Sequence, residues 1–172
     1  MSEQGHQADP ERRATRLEDA AASERDAVSE EARLRAATRI ATDYILRSLQ
    51  LVREVARDDL LDGIILSALV QANVGHLTGP DAPGEPGAAP SDELRRPVSV
   101  MALAANLGFP YETMRRRIGK LIAAGWCVRV PGGVIVPGSV LDGPANKAAL
   151  RANFANLRRL RKALLAAGVD VD

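Results

Sequence analysis

The feature that most constrains the fold is the punctuation of residues 98–136, where glycines and prolines separate two short apolar segments. Ser99 suits a helix N-cap ahead of the first apolar segment, and Gly108 suits the end of that helix. Pro110 suits the first turn of a second helix, which Gly125 would end. Alternating β-branched residues on both sides of a Pro-Gly-Gly turn then predict a hairpin. The predicted order is helix, tight turn, helix and hairpin.

Longer helices are predicted on both sides of this segment. Apolar residues recur at steps of three and four from about Glu30 to Ala56. The helix predicted from Leu60 to His76 is apolar nearly all round, which indicates the central buried helix. A last helix is predicted to start near Pro144, with one apolar stripe formed by Leu150, Phe154, Leu157, Leu160 and Leu164. Aromatic residues make up only 3% of the chain, so a mainly α fold is favoured over a β-sandwich.

Charge is unevenly distributed along the chain, although the net charge is only +1. Residues 95–129 hold seven basic residues against one acid, Glu112, which is a local balance of +6. The first 35 residues hold nine acids against six arginines. Such segregation indicates an anionic partner for the middle of the chain.

The helix predicted from Pro110 to Ala124 has two different faces. Its core side is formed by Met114, Ile118, Leu121 and Ile122, which recur at helical spacing. Its other side carries Tyr111, Glu112, Arg115, Arg116 and Lys120. Gly119 lies among them and leaves room for a close approach. Because an arginine fork can donate two hydrogen bonds to guanine and a glutamate can accept one from cytosine, this face is the predicted reading surface for DNA.

Residues 98–136 resemble the winged helix-turn-helix of bacterial transcriptional regulators of the MarR, IclR and GntR kind. The resemblance covers about a quarter of the chain. The residues that match the pattern are Leu107, Gly108, Pro110, Thr113, Met114, Arg116, Leu121 and Gly125, followed by the hairpin. The resemblance implies a three-helix core with a small β-hairpin wing. It also implies DNA contacts from Thr113, Arg115 and Arg116, and a core position for Met114.

The predicted organisation therefore has five parts. They are a charged arm at residues 1–30, either disordered or a frayed helix; a helical scaffold and dimerisation segment at 31–76; a flexible Pro/Gly-rich loop at 77–96; the winged helix-turn-helix at 97–140; and an amphipathic dimerisation helix at 141–172. The apolar stripes of the flanking helices exceed what a domain of about 80 residues can bury alone, so we expect a homodimer.

The candidate DNA-binding residues fall into two groups. Ser99, Thr113, Lys120 and Arg129 are expected to contact phosphates and to set the register. Tyr111, Glu112, Arg115 and Arg116 are expected to read base edges. Arg117 lies beside the core stripe, so we expect it to reach a phosphate or a neighbouring acid. Trp126 is expected to pack at the root of the wing.

Catalysis and membrane insertion are not expected. Cys127 is the only cysteine, which excludes an internal disulfide and a multi-cysteine metal site. No nucleophile has a base beside it and no metal-ligand cluster occurs, so we expect neither enzyme activity nor a cofactor. The N-terminus lacks an apolar signal segment, and the longest apolar stretch is interrupted. We expect a cytoplasmic protein.

The sequence thus predicts a transcriptional regulator that binds double-stranded DNA as a homodimer on an inverted repeat. Two alternatives remain open. One is an architectural protein that binds all duplexes alike, and the other is a winged helix that binds a protein partner. The sequence names no small-molecule effector, and it leaves open whether one binds.

Overall fold

The protein is mainly helical, with one small antiparallel sheet. The computed structural model describes residues 10–57, 59–77 and 89–169. Within these residues the elements are α1 (Pro10–Val55), α2 (Leu60–Val74), α3 (Val100–Leu107), α4 (Tyr111–Ala123), β1 (Val128–Val130), β2 (Gly133–Ile135), α5 (Gly138–Leu141) and α6 (Pro144–Ala166). The chain divides into two compact units. One takes the part up to Tyr44 together with the part from Arg158, and the other takes Ile45–Leu157.

Helix α1 is longer than the sequence pattern predicts. It begins at Pro10 rather than near Glu30, so the expected disordered or frayed arm is helical from Pro10 onward, and residues 1–9 lie outside the described part. Neither glycine nor a second proline interrupts the helix before Val55. Alanine, arginine and glutamate are strong helix formers, which offsets the missing apolar stripe in the first half of the helix.

The junction between α1 and α2 is tight. Arg57 takes a left-handed conformation with a φ of 54°, which ends the first helix. Asp59 then caps α2, because its carboxylate accepts a hydrogen bond of 3.1 Å from the Asp62 backbone N–H. A Cβ at Gly63 would lie 2.5 Å from the Val52 carbonyl oxygen, so α1 and α2 approach each other at a point that only glycine allows.

The core of the unit Ile45–Leu157 is built around α2. The buried side chains come from α2, α3, α4 and the hairpin segment, and the largest are Ile65, Leu69, Leu103, Met114, Ile118, Val134 and Val136. The stretch Leu60–Leu77 is the one described segment long and apolar enough to cross a membrane by length and composition alone. It supplies Ile65, Leu66 and Leu69 to this core, which accounts for its apolar character.

The hairpin pairs β1 with β2, with Val128 opposite Ile135 and Val130 opposite Gly133. Ahead of α3 the chain forms a single bridge to the hairpin, in which Val98 and Val134 exchange two backbone hydrogen bonds of 3.1 and 2.9 Å. This bridge fixes the hairpin to the segment that leads into α3.

A buried asparagine joins the helices to the hairpin. Asn73 lies near the end of α2 and is fully buried. Its amide donates to the carbonyl oxygens of Arg96 at 2.7 Å and Val134 at 3.2 Å, and its side-chain oxygen accepts from the Val136 N–H at 2.9 Å. The Arg96 N–H also donates to the Asn73 backbone oxygen at 3.0 Å. One side chain therefore satisfies buried backbone groups on two separate segments.

Part of the predicted flexible loop is packed. Residues 92–94 form a 3₁₀ turn, and Arg95 is buried. The Arg95 guanidinium donates to Asp92 at 3.0 Å and to the Pro90 carbonyl at 2.7 Å, and Asp92 accepts from the Gly138 N–H at 2.7 Å. The expectation of flexibility over 77–96 is thus wrong for residues 89–96, because these ion-pair and backbone bonds bind them to α5. Residues 78–88 lie outside the described part.

We predict that Asn73→Ala lowers the free energy of unfolding by about 2–3 kcal/mol, because the buried Val136 N–H would lose its partner and the Arg96 and Val134 carbonyls would lose the Asn73 amide. Chemical denaturation monitored by circular dichroism measures this change. Asn106→Ala is the matched control, since Asn106 is exposed on α3, and its effect should stay within about 0.5 kcal/mol. Equal effects of the two substitutions would contradict the role assigned to Asn73.

Candidate nucleic-acid interface

Helices α3 and α4 are joined by a turn that is built as the sequence predicts. The Ser99 hydroxyl caps α3 by accepting from the Ala102 N–H at 3.1 Å. Gly108 takes a left-handed conformation with a φ of 68°, and the Phe109 N–H then donates to the Ala104 carbonyl at 3.0 Å. Pro110 is the N-cap residue of α4 and not its first residue, so the helix begins at Tyr111, one residue later than predicted. This turn presents the N-terminal half of α4 to solvent.

Arg117 anchors α4 to the beginning of α2. Its guanidinium donates to Asp59 at 2.6 Å and to Asp62 at 2.8 Å. These hydrogen bonds, first that of Asp62 and then that of Asp59, raise the pKa of Arg117. The pKa of Asp59 is lowered by the Asp62 backbone N–H and then by Arg117. Arg117 therefore contacts two neighbouring acids, which is one of the two outcomes expected for it.

The solvent-facing side of α4 changes in character along the helix. Because each residue advances by about 100°, Glu112, Arg116 and Gly119 share the middle of this face. The first two turns carry long polar side chains, and Tyr111 is 49% exposed. A Cβ at Gly119 would meet nothing within 4 Å. A mid-helix glycine costs up to about 1 kcal/mol relative to alanine, and no described neighbour requires this one.

Arg115 and Glu112 form an ion pair on the same face. The Arg115 Nε donates to Glu112 Oε2 at 2.9 Å, and its Nη2 donates to Oε1 at 2.6 Å. This pairing lowers the pKa of Glu112 and raises the pKa of Arg115. Both side chains remain more than half exposed. Both predicted base readers are thus at the surface, but each holds the other.

Ion pairs with carboxylates reduce the positive charge that residues 95–129 offer to a partner. Three of its seven basic residues form ion pairs with carboxylates, and these are Arg95, Arg115 and Arg117. The acids Asp59, Asp62 and Asp92 lie outside the range that gives +6, and including them lowers the balance to +3. Arg96, Arg116, Lys120 and Arg129 are exposed and form no ion pair within the described ranges.

The remaining predicted contacts lie on three different elements. Ser99 is exposed at the start of α3, and its hydroxyl proton is not used by the cap, so it can still donate. Thr113 is half-buried on the side of α4 that also carries Lys120. Arg129 is exposed on β1, opposite Val134 in the hairpin, and not on α4. The structure thus places five of the eight candidate residues on the exposed surface of α4, namely Tyr111, Glu112, Arg115, Arg116 and Lys120.

Two surface features were not anticipated from the sequence. Met101 on α3 is 70% exposed, and α3 carries no charged residue at all. The Arg57 guanidinium lies 5.7 Å from the centre of the Trp126 ring, while Trp126 packs against the core as expected. The only sequence signal at Arg57 is that it directly follows the helix predicted to end at Ala56.

The only thiol of the chain is held in its protonated form. Burial raises the pKa of Cys127 to about 11, which leaves the group protonated and unreactive at neutral pH. No group of three or more potential metal ligands occurs in the part of the chain that the structure describes. The exposed donors of Arg116 and Lys120 on α4 are able to bind an anionic group.

Comparison with known proteins adds no assignment, since no protein-family model, curated protein or solved structure matches this chain.

We predict that Arg117→Ala lowers the free energy of unfolding by about 1–2 kcal/mol, because α4 loses two charged hydrogen bonds to α2 and Asp59 is partly screened by solvent. Arg116→Ala is the control on the adjacent residue and should change stability by less than about 0.5 kcal/mol. Urea denaturation measures both. The reverse order of effects would show that Arg117 does not anchor the helix.

The same ion pair predicts a dependence of stability on pH. Since the pKa of Asp59 is lower in the folded state, its contribution is fully present above its ordinary pKa and is lost as the pH falls through the folded-state pKa. The loss of stability in acid should be smaller in Arg117→Ala than in the wild type. Denaturation curves recorded between about pH 3 and pH 7 test this, and parallel acid losses would contradict it.

Proposed function

We propose that the protein is a sequence-specific DNA-binding transcriptional regulator in which residues 97–140 form a winged helix-turn-helix. The observation that carries the proposal is the outward face of α4, which combines exposed, unpaired cations with a polar and aromatic first turn. The capped α3, the glycine turn and the short hairpin after α4 support it, because a reading helix needs these neighbours.

In the proposed complex the N-terminal half of α4 lies in the major groove. Ser99, Thr113, Lys120 and Arg129 contact phosphates, and Tyr111, Glu112, Arg115 and Arg116 face the base edges. The open space at Gly119 supports this placement, since it lets the helix backbone come close to the DNA. Arg117 is not part of the contact, because two aspartates hold it.

We propose that a second copy of the chain covers α6. Asn156 is buried and donates to Ser48 on α1, whereas Phe154 and Leu150 are 64% and 61% exposed on another face of the helix. Helix α6 has six basic residues and no acid, so two α6 helices would repel each other. Helix α1 has nine acids and nine arginines, so it carries no net charge and offers acids to the cations of α6. Pairing α6 of one copy with α1 of the other would bury the apolar face without that repulsion.

A two-fold pair of this kind would suit an inverted repeat, with the reading helices about 34 Å apart. The proposal includes a reducing cytoplasmic location, which the single buried thiol at Cys127 favours. It requires neither a cofactor nor catalysis, and its output would be the activation or repression of transcription.

A specific observation favours one rival. The uncharged surface of α3 around the exposed Met101 would suit a protein partner better than a phosphate backbone. A protein-interaction module would use this surface and would not need the cations of α4. An architectural DNA binder would use the cations without any preference for sequence.

The three functions differ in the effect of Arg115→Ala and Arg116→Ala on binding to duplex DNA at about 150 mM salt. A specific reader should lose about tenfold or more in affinity for its preferred site per base-contacting arginine, and little for other sequences. An architectural binder would weaken equally on all duplexes. Arg39→Ala, which removes an exposed arginine from α1, is the matched control. Unchanged DNA binding in all three variants would overturn the proposal.

We predict that Phe154→Ala raises the dimer dissociation constant at least about a hundredfold. Each dimer would lose the burial of two phenyl groups, which contribute about 1.5 kcal/mol or more apiece. Sedimentation equilibrium measures the constant. Met101→Ala, which also removes an exposed apolar side chain, should leave it unchanged. A monomeric wild-type protein at about 100 μM, or equal effects of the two substitutions, would contradict the proposed dimer.

A further inference from the structure

We infer that Glu112 is a positioning residue that orients Arg115 toward a single guanine, so that the two side chains act as one reading unit. The inference rests on the proposed function, because it assigns a specificity to the DNA-facing surface of α4. It starts from the ion pair between these residues and not from either residue alone.

The first observation is how the guanidinium is held. Arg115 uses its side edge, Nε and Nη2, and engages both carboxylate oxygens of Glu112 at 2.9 and 2.6 Å. A guanidinium carries five N–H groups, so three remain after this contact, two on Nη1 and one on Nη2. The Nη1 and Nη2 groups together form the end-on fork that matches O6 and N7 of guanine. The pairing thus leaves free the edge that reads guanine and fixes the plane in which it lies.

The second observation is that the pair does little for the fold. The Arg115 and Glu112 side chains are 57% and 69% exposed, and ion pairs at such positions contribute little to stability. Arg117, two residues further on, shows the contrasting arrangement, since its side chain is 23% exposed and bridges two helices. A structural role accounts for Arg117, but it does not account for the pairing at Arg115.

The net charge of the Glu112–Arg115 pair supports the same role. With Glu112 in contact, Arg115 belongs to a pair of zero net charge, which weakens its attraction to a phosphate. The unpaired Lys120 keeps its full charge for the DNA backbone. Each oxygen of Glu112 accepts one hydrogen bond from Arg115 and keeps a second acceptor site, so a cytosine would have to share the carboxylate with the pair. The arrangement favours a hydrogen bond from Arg115 to guanine over separate contacts from each residue.

The test compares base preferences at every position of the binding site for the wild type, Glu112→Gln, Arg115→Ala and the double variant. We expect Glu112→Gln and Arg115→Ala to reduce the preference for guanine at the same base pair, by roughly tenfold. In the double variant the two effects should not add, because Glu112 acts only through Arg115. Glu93→Gln is the matched control, since it removes one exposed acid from a different segment.

A second readout separates positioning from a merely structural role. Once released from Glu112, Arg115 can contact a phosphate, so Glu112→Gln should steepen the dependence of log affinity on log salt by about one phosphate contact, or about 0.9. Circular dichroism melting of each variant confirms that the exposed substitutions leave the fold intact.

Three outcomes overturn the inference. Glu112→Gln could change the preference at a different base pair from Arg115→Ala, which would mean that Glu112 reads its own base. Glu112→Gln could also leave every base preference and the salt dependence unchanged while the wild type keeps a specific site. That result would refute the positioning role of Glu112 and retain the proposed function. A wild-type protein with no base preference would refute both.

Discussion

The arrangement of this protein depends on the buried amide of Asn73. It is the point at which α2, the segment before α3 and the hairpin are hydrogen-bonded together, and all three bonds are between 2.7 and 3.2 Å. Apolar packing around α2 supplies the stability of the core, but such packing is not directional. The asparagine adds direction, because its donors and acceptor must each find a backbone partner. The orientation of the hairpin relative to the helices follows from this constraint.

The basic residues of the middle segment perform different tasks that a charge count does not separate. Arg95 is buried and holds Asp92, which accepts from the Gly138 N–H at the start of α5, and Arg117 holds α4 to α2. Arg115 is held by its neighbour on the surface. Arg116 and Lys120 alone on α4 carry exposed and unpaired charge. In the proposed complex with DNA, Arg117 therefore fixes the position of α4, whereas exposed residues such as Arg116 determine its affinity for DNA.

The sequence predicts local structure well where chemistry acts over a few residues. The Ser99 cap, the left-handed Gly108, the core stripe of α4 and the hairpin turn are all determined within one or two turns of chain, and each is found. The contacts of Asn73 span 23 to 63 positions and those of Arg117 span 55 and 58, so no periodicity reveals them. Helix α1 was underestimated because helix propensity, rather than an apolar stripe, extends it to Pro10.

The central claim is that the protein recognises a particular DNA sequence through α4. The most direct test is a selection from random duplex DNA at about 150 mM salt, followed by measurement of the affinities for the enriched sequence and for a scrambled one. We expect an inverted repeat that is bound about 10³-fold or more tightly than the scramble. Failure to enrich any sequence, or equal affinity for the enriched sequence and its scramble, would contradict sequence-specific recognition.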